Sequence, residues 1–543
     1  MAPARDIVIL GGGHNALITA YYLAKKGFKP LVLERRAIVG GAAVTEEFHP
    51  GFRCSTLAHA AGPLLPEIVR DMQLARHGLK MIDPDTQLFA PAPDGRALRL
   101  YKSEDQSTRS IEPFSKLDAA KYRELQKALA TASAIVHDLI SLTPPVIEKP
   151  SGEDLWKLLK VGRKVRGLGK KDMMRLIRWG PMAVADFAAE FFETDLLRGI
   201  VAARGIFGAA MGPWSAGSTA LLLLRSTVDS SAAGSSARPL GGMGALTAAL
   251  AAAAKEAGAE IRTNADVKQI LVKSGAAIGV VLSTGEEIAS KTVVSGADPR
   301  RTFLGLLDPV HLPPSFVVKM QHFRAQGTVA KLNLALDALP TFTALKQAQA
   351  SDASAALSGR IHIGPGIDYL ERAFDHSKYG EFSTAPYLDV MIPSIGDTSL
   401  APANKHVMSI YMQFAPYHLK KANGSGGTAN PGCAWTPSDA DALRDTIIKT
   451  LAEYAPDLPA KILAAQILTP KDLEDTYALT GGHPFHGELA LDQIFTMRPL
   501  LGWARYRTPV KGLYLCASGT HPGTGLTGAS GANAAREILK ELR

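Results

Sequence analysis

The feature that most constrains the fold of this 543-residue chain is a glycine-rich turn between a short apolar segment and a helix near its start. Residues 6–10 have the composition of a buried strand, and the apolar spacing that follows is helical up to Gly27. A second apolar strand covers residues 30–34 and ends in Glu34. Strand, glycine turn, helix, strand and acid in this order predict the βαβ unit of a Rossmann-type, dinucleotide-binding α/β fold.

The turn reads GGGHNA, a GxGxxA variant of the dinucleotide fingerprint. Gly11 permits the tight turn after the strand, Gly13 lets the backbone approach a pyrophosphate, and the small Ala16 allows helix and strand to pack closely. The N-terminus of the helix, at His14 and Asn15, offers free N–H groups to the phosphates. At His14 we expect a role in shaping this turn rather than in catalysis.

Glu34 stands 23 residues after Gly11, where dinucleotide-binding folds place the acid that accepts the ribose hydroxyls. An acid at this position argues against a ligand with a 2′-phosphate, which would favour an arginine. No second strand–GxGxxG–helix unit that ends in an acid occurs in the sequence, since the cluster Gly241–Gly244 lacks that arrangement. We therefore expect no dedicated NAD(P)H domain, although the fingerprint alone does not choose between FAD and NAD.

The rest of the sequence divides by pattern into two interleaved domains. Residues 64–235 are mainly helical in spacing, whereas short strands and glycine turns follow an alanine-rich helix further on. We predict a cofactor-binding domain and a mixed α+β substrate domain that includes a helical, membrane-facing segment. The predicted cofactor domain comprises residues 1–60, 240–310 and 475–543, and the substrate domain comprises 61–239 and 311–474.

The three cysteines, Cys54, Cys433 and Cys516, are too widely spaced for a disulfide framework, a CxxC redox pair or a zinc site. We therefore exclude a flavoprotein disulfide reductase and predict no metal site. We expect no signal peptide, and no apolar run approaches the ~20 residues that span a bilayer. We expect a cytoplasmic protein, or one of the mitochondrial matrix if the chain is a mature eukaryotic form, that is soluble or lies on the inner face of a membrane.

Most of the formal net charge of +9 is concentrated in residues 156–179. Nine basic residues in this stretch stand against a single acid, Asp172, and alternate with Trp156, Trp179 and several leucines. Basic residues among tryptophan and leucine favour a segment attracted to anionic lipid, so we expect peripheral membrane association here. A solvated helical face is the alternative. Nucleic acid is not an expected partner, because no binding motif accompanies the charge.

The residues that follow the fingerprint indicate which dinucleotide the chain binds. Glu34 and Arg35 are followed by the pair Gly40-Gly41 and by Ala42, in the stretch VGGAAVTEEFHPGF. This stretch resembles the extended fingerprint of the FAD-binding amine oxidase and phytoene desaturase superfamily, whose glycine pair brings a loop close to the flavin pyrophosphate. Many members of the superfamily place Arg or Lys directly after the glycine pair, whereas this chain has Ala42. The sequence therefore resembles the phytoene dehydrogenase-like branch of the superfamily most. The likeness recurs in GGMGALTAALAAAAKEAGAEI and GLYLCASGTHPGTGLTGASGANAA.

The resemblance implies a GR2-type FAD-binding domain with FAD as its cofactor. It also implies that Val267 contacts the adenine through its backbone, and that the loop from Gly519 to Gly525 covers the flavin ring. Gly528 and Ala529 would begin a helix that faces the pyrimidine or ribityl end. The cofactor-binding residues expected in this way are Gly11, Gly13, His14, Asn15, Ala16, Glu34, Arg35, Gly40, Gly41, Ala42, Val267, Gly519, Pro522, Gly523, Gly528 and Ala529.

For catalysis the sequence offers only histidines. His486 and His521, with His483 nearby, are candidates to lie beside the flavin, where a histidine positions substrate or exchanges a proton near neutral pH. The alternative for each is a histidine that completes a loop hydrogen bond.

The resemblance implies an FAD-dependent, phytoene dehydrogenase-like oxidoreductase. We expect it to transfer a hydride from a hydrophobic, isoprenoid or lipid-like substrate to N5 of FAD, and to pass electrons to oxygen, a quinone or another acceptor. Two alternatives stay open: redox-neutral isomerisation of a polyene by reduced FAD, and a flavin-stabilised interaction module without turnover. The sequence also leaves open whether the chain forms a homo-oligomer.

Overall fold

The structure, a computed structural model, describes residues 5–59, 64–148, 150–229, 231–420, 435–523 and 525–542. Its helices are α1 (His14–Ala24), α2 (Pro66–Asp71), α3 (Glu104–Ile111), α4 (Lys116–Ser141), α5 (Gly152–Gly167), α6 (Gly169–Trp179), α7 (Val184–Ala189), α8 (Asp195–Ile206), α9 (Ser218–Asp229), α10 (Met243–Glu256), α11 (Pro314–Gln321), α12 (Ala350–Leu357), α13 (Ile367–Lys378), α14 (Pro437–Ala452), α15 (Leu458–Lys461), α16 (Pro470–Tyr477) and α17 (Ala529–Leu542).

Its strands are β1 (Ile7–Leu10), β2 (Pro30–Leu33), β3 (Thr45–His49), β4 (Phe52–Ser55), β5 (Met81–Ile82), β6 (Thr86–Pro91), β7 (Ala97–Tyr101), β8 (Arg238–Pro239), β9 (Glu260–Arg262), β10 (Val267–Lys273), β11 (Ala276–Leu282), β12 (Glu287–Ala289), β13 (Val293–Ser295), β14 (Val329–Leu336), β15 (Arg360–Ile363), β16 (Tyr387–Met391), β17 (His406–Gln413), β18 (Ile462–Leu468) and β19 (Leu513–Leu515).

A five-stranded parallel sheet, in the order β19-β13-β1-β2-β9, forms the centre of the cofactor domain. Val8 in β1 lies opposite Leu31 of β2 and Val293 of β13. Both faces of the sheet are covered: Ile7 and Ile9 pack with α1, α10 and α17, whereas Val8 packs with β10, β11, β12 and α11. A strand buried on both faces must be apolar throughout, which explains why β1 shows no polar alternation. The predicted Rossmann-type α/β fold is confirmed.

A seven-stranded mixed sheet, in the order β18-β14-β17-β16-β15-β6-β7, forms the centre of the substrate domain. Neighbouring strands are antiparallel except β15 and β6, which pair in parallel. One cluster of buried side chains joins this sheet to α12 and α14, and another joins α4, α7, α8, α9 and α13. The predicted mixed α+β character of this domain is confirmed.

Residues 64–235 are mainly helical, as predicted, but they also contain the hairpin of β6 and β7. The two strands pair around a turn at Asp94-Gly95, where Gly95 has a φ of 85°. Asp-Gly between two apolar runs is a hairpin signal that the sequence contains. However, β6 also pairs with β15, which comes from far along the chain. A local pattern does not reveal such a partner, so the strand is easily missed.

Two helices from the segments predicted to form the substrate domain pack against the cofactor domain. Helix α11 lies within 311–474, yet its Phe316 and Met320 pack beneath the parallel sheet. Helix α2 lies within 61–239, yet its Ile68 packs with α1 and α17 in the core on the other face. Both helices belong to the cofactor side of the molecule, because their apolar side chains find their partners there.

The basic stretch 156–179 forms the greater part of the helix pair α5 and α6. Asp154 holds the start of α5 to the cofactor domain by accepting a hydrogen bond of 2.9 Å from Arg505. The outer side of the pair is uncovered: Trp156 is 64% exposed and Ile177 is 60% exposed. Among the described helices, none is long and apolar enough to cross a membrane.

Candidate functional site

The glycine turn borders a large cavity that lies between the parallel sheet and the substrate domain. Gly11 has a φ of 83°, and its N–H donates to the Leu33 carbonyl at 2.8 Å, which closes the turn. At Gly13 a Cβ would meet no described atom within 4 Å, so open space adjoins the start of α1. No side chain of the described residues caps this helix. An uncapped helix N-terminus beside open space is suited to a pyrophosphate.

Glu34 is fixed at the cavity by main-chain donors. Its Oε2 accepts a hydrogen bond of 2.7 Å from the N–H of Gly12, and its Oε1 accepts one of 2.9 Å from the N–H of Arg36. A Cβ at Gly12 would lie 3.2 Å from Oε2 of Glu34. The middle glycine of the turn, which the sequence analysis did not single out, therefore lets the acid approach. Glu34 borders the cavity where its remaining lone pairs can accept ribose hydroxyls.

The glycine pair lies directly on this turn, as the resemblance implied. Gly40 has a φ of 133°, donates its N–H to the Gly12 carbonyl at 2.9 Å, and has no room for a Cβ, which would lie 2.7 Å from the Ala43 carbonyl oxygen. Gly41 has a φ of 58°, and a Cβ there would lie 3.4 Å from Cα of Gly13. Both glycines border the cavity beside the phosphate turn.

A further glycine, Gly296, follows β13 and was missed by the sequence analysis. A Cβ at Gly296 would lie 2.5 Å from the Leu10 carbonyl oxygen and 3.2 Å from Cβ of Ala16. Ala16 and Gly296 thus let α1 and the end of β13 come together, and both border the cavity. Ala42, the residue after the glycine pair, borders it as well.

His14 and Asn15 begin α1 and have different environments. Burial, and then His486, lower the pKa of His14 to about 3, so its ring is neutral at physiological pH. Its Nε2 is buried and has no hydrogen-bond partner in the described part of the chain. Asn15 donates to Oγ of Ser518 at 3.2 Å and accepts from the N–H of Gly531 at 3.2 Å. Asn15 therefore ties α1 to the C-terminal segment.

The second glycine cluster has a different role from the first. It opens α10, where the N–H of Met243 donates to Oγ of Ser55 at 2.9 Å and the N–H of Gly244 donates to Oγ1 of Thr45 at 2.9 Å. These side chains satisfy N–H groups that a phosphate would otherwise bind.

Arg35 and Val267 border the cavity near Glu34, at the end that the sequence analysis assigned to the adenine. Arg35 donates to the main-chain carbonyls of Thr476 and Asp475. Val267 begins β10 at an irregular step of its pairing with β11. The contact of Val267 with the adenine stays a prediction.

The C-terminal segment borders the cavity through residues that differ in part from the expected ones. The residues that border the cavity are Ala517, Ser518, Gly525, Leu526 and Thr527. The expected residues Gly519, Pro522, Gly523, Gly528 and Ala529 do not border it, and Thr524 lies outside the described residues.

The three expected glycines are instead positions where the segment packs tightly. A Cβ at Gly519 would lie 2.2 Å from Pro299, and one at Gly523 would lie 2.2 Å from Nε of Arg498. At Gly528 a Cβ would lie 2.6 Å from Ile18. Glycine is required here for close packing behind the cavity wall, which sequence alone does not separate from contact with a ligand.

Of the two proposed catalytic histidines, one borders the cavity and the other does not. His486 borders it, and its Nδ1 is buried with no partner among the described residues. Burial lowers the pKa of His486, Asp298 opposes this shift and Arg498 adds to it. His521 lies away from the cavity, with its Nε2 3.0 Å from the Leu139 carbonyl oxygen. For His521 the structure therefore favours the loop hydrogen bond over catalysis.

His483 also completes a local turn. Its Nδ1 accepts a hydrogen bond of 3.2 Å from the N–H of Phe485. Burial, and then Arg498, lower the pKa of His483 to about 3, so the ring is a neutral acceptor.

Arg498 organises the loops behind the His486 side of the cavity, and nothing in the sequence singled it out. Its guanidinium is fully buried and donates to six main-chain carbonyls. The acceptors are the carbonyls of Phe485, Gly487, Glu488, Gln493, Ser518 and Thr520. One side chain therefore joins the His486 loop to the C-terminal segment.

The substrate domain contributes a second buried group to the site. Nζ of Lys331, in β14, lies 2.7 Å from Nδ1 of His59 and 4.1 Å from the ring centroid of Tyr411. Burial lowers the pKa of Lys331 to about 7. His59 and Tyr411 border the cavity with Lys331 behind them. A lysine whose pKa lies near neutrality can exchange a proton, unlike an exposed lysine.

Aromatic rings form the wall next to this pair. The ring centroids of Phe207 and Tyr411 lie 5.0 Å apart, and those of Phe207 and Phe485 lie 6.5 Å apart. Three arginines, Arg204, Arg225 and Arg360, border the same part of the cavity. Neither the rings nor the arginines show a spacing in the sequence that predicts their meeting.

Comparison with known proteins decides the family. Residues 17–380 match the protein family described as flavin containing amine oxidoreductase. The chain belongs to this family. It is an FAD-dependent oxidoreductase of the amine oxidase and phytoene desaturase superfamily, as the resemblance of its sequence indicated.

Two relatives and one solved structure illustrate the likeness. Pyridine nucleotide-disulfide oxidoreductase domain-containing protein 2 of Rattus norvegicus is 34% identical over 100% of this chain and 94% of its own length. A limonene dehydrogenase component of Castellaniella defragrans is 28% identical over 99% of this chain and 95% of its own length. An oxidoreductase from Methanosarcina mazei has the same fold, with a TM-score of 0.59, 15% identity and coverage of 99% and 100% of the two chains.

The residues of this family member fit FAD on three observations. Open space adjoins Gly13 at the free N-terminus of α1, Glu34 is held at the place of the ribose acid, and buried nitrogens of His14 and His486 have no partner within the described structure. The turn and the glycine pair would hold the pyrophosphate, and Glu34 would hold a ribose.

Thiol chemistry has no support from the described cysteines. Burial raises the pKa of Cys54 and of Cys516 to about 12, so neither thiol ionises at neutral pH. The thiolate is the reactive form of cysteine. Cys433 lies outside the described residues.

Proposed function

We propose that this FAD-dependent oxidoreductase takes a hydride from a hydrophobic, isoprenoid or lipid-like substrate bound in the cavity between its two domains. The observation that carries the proposal is that one cavity joins the glycine turn to the aromatic wall of Phe207, Tyr411 and Phe485. The relative named as a limonene dehydrogenase, with a hydrocarbon in its name, supports an apolar substrate class.

Bound FAD supplies the hydride acceptor, N5 of its ring. The protein supplies placement and exclusion of water. The rings of Phe207, Tyr411 and Phe485 give an apolar chain a large contact area, from which the chain would displace water.

Introducing a carbon–carbon double bond removes a proton as well as a hydride. Lys331 and His59 are our candidates for the groups that take up this proton. His59 borders the cavity, and Lys331, 2.7 Å behind it, is close to half protonated at neutral pH because burial lowers its pKa to about 7. A group with such a pKa is an effective acid or base at pH 7.

An anaerobic screen tests the proposal. Purified protein is expected to be yellow, and isoprenoid hydrocarbons and lipids are added in detergent micelles while the flavin absorption band is followed. Bleaching of the band, with a product that has lost two hydrogens, supports dehydrogenation. A product of unchanged mass that forms only with prereduced flavin supports polyene isomerisation instead. Flavin that no compound bleaches favours a non-catalytic interaction module, and a protein that takes up no FAD contradicts all three functions.

The electron acceptor is a separate part of the proposal. We propose oxygen, a quinone or another small carrier, because the sequence contains no second dinucleotide fingerprint. Mixing the bleached protein with oxygen or with a soluble quinone, and timing the return of the flavin band, tells these acceptors apart.

We also propose that α5 and α6 rest on an anionic membrane, which would bring the protein to an apolar substrate. Of the basic side chains on this pair, five make no ion pair with any described residue and remain free to meet lipid phosphates. They are Lys160, Arg163, Arg166, Lys170 and Lys171. Exposed Trp156 and Ile177 supply apolar contacts on the same pair of helices. Such a protein would lie on the inner face of its membrane.

A further inference from the structure

The substrate-domain wall of the cavity carries more positive than negative charge. Arg204 in α8 donates two hydrogen bonds of 2.9 Å to Asp229, and Arg360 in β15 pairs with Asp389 at 2.7 Å. The four side chains are at most 12% exposed. Two acids thus neutralise two arginines, and the third arginine of this wall, Arg225 in α9, is left over.

Arg225 has no carboxylate partner among the residues that the structure describes. It donates to the main-chain carbonyls of Arg204, at 2.5 Å, and of Phe207, and its guanidinium lies 5.4 Å from the ring centroids of Phe207 and Phe485. Burial, and then the nearby Arg204, lower the pKa of Arg225 to about 9. The guanidinium therefore stays charged at neutral pH.

Arg204 and Arg360 meet beside Gly234, which has a φ of 76°. A Cβ at Gly234 would lie 2.8 Å from Nη1 of Arg360 and 3.3 Å from Nε of Arg204. Arg204 is only 7% exposed, so water does not satisfy its donors. Its Nη1 is buried and lacks a hydrogen-bond partner in the described ranges. Behind this wall, an enclosed donor without a partner thus lies near a cation without a counter-ion.

Burying a charge without a counter-ion is costly, and a ligand that brings the missing anion offsets that cost. We propose that the substrate carries a compact anionic group with oxygen acceptors, a carboxylate or a phosphate, which binds at Arg225 and Arg204. Its apolar remainder lies along Phe207, Tyr411 and Phe485. Guanidinium groups match both anions by paired N–H donors.

This inference rests on the proposed function and narrows its substrate to an amphipathic acid or phosphate ester. The phosphates of FAD do not supply the anion, because the glycine turn and the free N-terminus of α1 serve them in the other domain.

Binding to the flavin-containing protein tests the inference, with the shift of the flavin absorption band as the signal. The probes are farnesoic acid with its methyl ester, and farnesyl phosphate with farnesol. Each pair has the same chain and differs in charge, and the two pairs separate a carboxylate from a phosphate. We expect the charged member of at least one pair to bind about tenfold or more tightly than its neutral partner, the usual scale of a charged hydrogen bond.

Variants then locate the effect. Arg225→Met is expected to abolish the preference for the anion, whereas Arg225→Lys keeps part of it. Arg444→Met removes a surface arginine of α14, away from the cavity, and should leave every affinity unchanged. Neutral probes that bind the unaltered protein as tightly as the anions overturn the inference, as does an Arg225→Met protein with an intact preference. If Arg225→Met does not retain FAD, the comparison within the unaltered protein decides.

Failure of this inference is distinguishable from failure of the proposed function. A neutral hydrocarbon that bleaches the flavin, while no anionic probe binds preferentially, overturns the anion site alone. Tight, Arg225-dependent binding of an anion to a flavin that no compound reduces overturns the dehydrogenation and leaves the anion site in place.

Discussion

Nζ of Lys331 lies 2.7 Å from Nδ1 of His59, and both side chains are buried beside the cavity. Burial lowers the pKa of Lys331 to about 7, although the Asp389 carboxylate opposes the shift. Burial, and then Lys331 itself, hold the pKa of His59 well below its usual value. The histidine therefore remains neutral, and the lysine is the member of the pair that changes charge near neutral pH.

The rate of flavin reduction by substrate should rise with pH through about 7, because Lys331 accepts a proton only after losing its own. Lys331→Met is expected to remove this dependence and to slow reduction by about a hundredfold. Anaerobic stopped-flow measurements between pH 5 and 9 (roughly the range in which the lysine titrates) check this. Lys319→Met, an exposed change on α11, is the control. A profile that Lys331→Met leaves unaltered would exclude the lysine as proton acceptor.

The titration of Lys331 should also make the free energy of unfolding depend on pH. Between about pH 7 and its ordinary pKa of 10.5, Lys331 binds a proton in the unfolded chain and not in the folded one. The free energy of unfolding should therefore rise with pH in this window, relative to Lys331→Met, by up to about 1.4 kcal/mol per pH unit. Urea unfolding at several pH values measures the difference between the two proteins.

Gly13→Ala is expected to lower FAD affinity about a hundredfold or more without destabilising the protein. A Cβ there meets no protein atom within 4 Å, but it occupies the space in which the backbone approaches a pyrophosphate. Gly162→Ala, at another position with nothing within 4 Å, lies in exposed α5 and should keep full FAD. Flavin content and thermal unfolding of the apoproteins give both readouts. Full FAD in Gly13→Ala would contradict the placement of the phosphates.

The two histidines should respond differently to replacement. His486→Ala is expected to lower the rate of flavin reduction about tenfold or more, since His486 borders the cavity. His521→Gln should leave that rate within about twofold, because glutamine can still donate to the Leu139 carbonyl. Equal losses of rate in the two variants, at equal FAD content, would indicate that His521 also acts in catalysis.

Binding to anionic liposomes should depend on the unpaired basic residues of α5 and α6. Neutralising Lys160, Arg163 and Lys170 together is expected to weaken binding about a hundredfold, since each basic residue near the surface contributes about 1 kcal/mol. Neutralising Lys157, which already pairs with Glu153, should have a smaller effect. Co-sedimentation at low and high salt measures both. Unchanged binding of the triple variant would favour the solvated helical face.

Much of the cofactor half was predictable because its requirements are local. The turn from Gly11 to Ala16 needs small residues at set positions, and Glu34 must follow the next strand. Such constraints act between residues that are close in the chain, so the required residue types occur at a recognisable spacing in the sequence. The sequence did not reveal that Gly519 and Gly528 pack closely against Pro299 and Ile18, because these contacts join distant parts of the chain.

By itself, the sequence determined that this chain folds around a dinucleotide turn and belongs among the flavin-dependent oxidoreductases. Only the tertiary structure decided what faces the cofactor across the cavity. Lys331, His59, Arg204, Arg225 and Arg360 come from five separate segments, and the seven-stranded sheet and its helices bring them together. Their charge and pKa depend on burial and on one another, which are properties of the packed molecule and have no pattern along the chain.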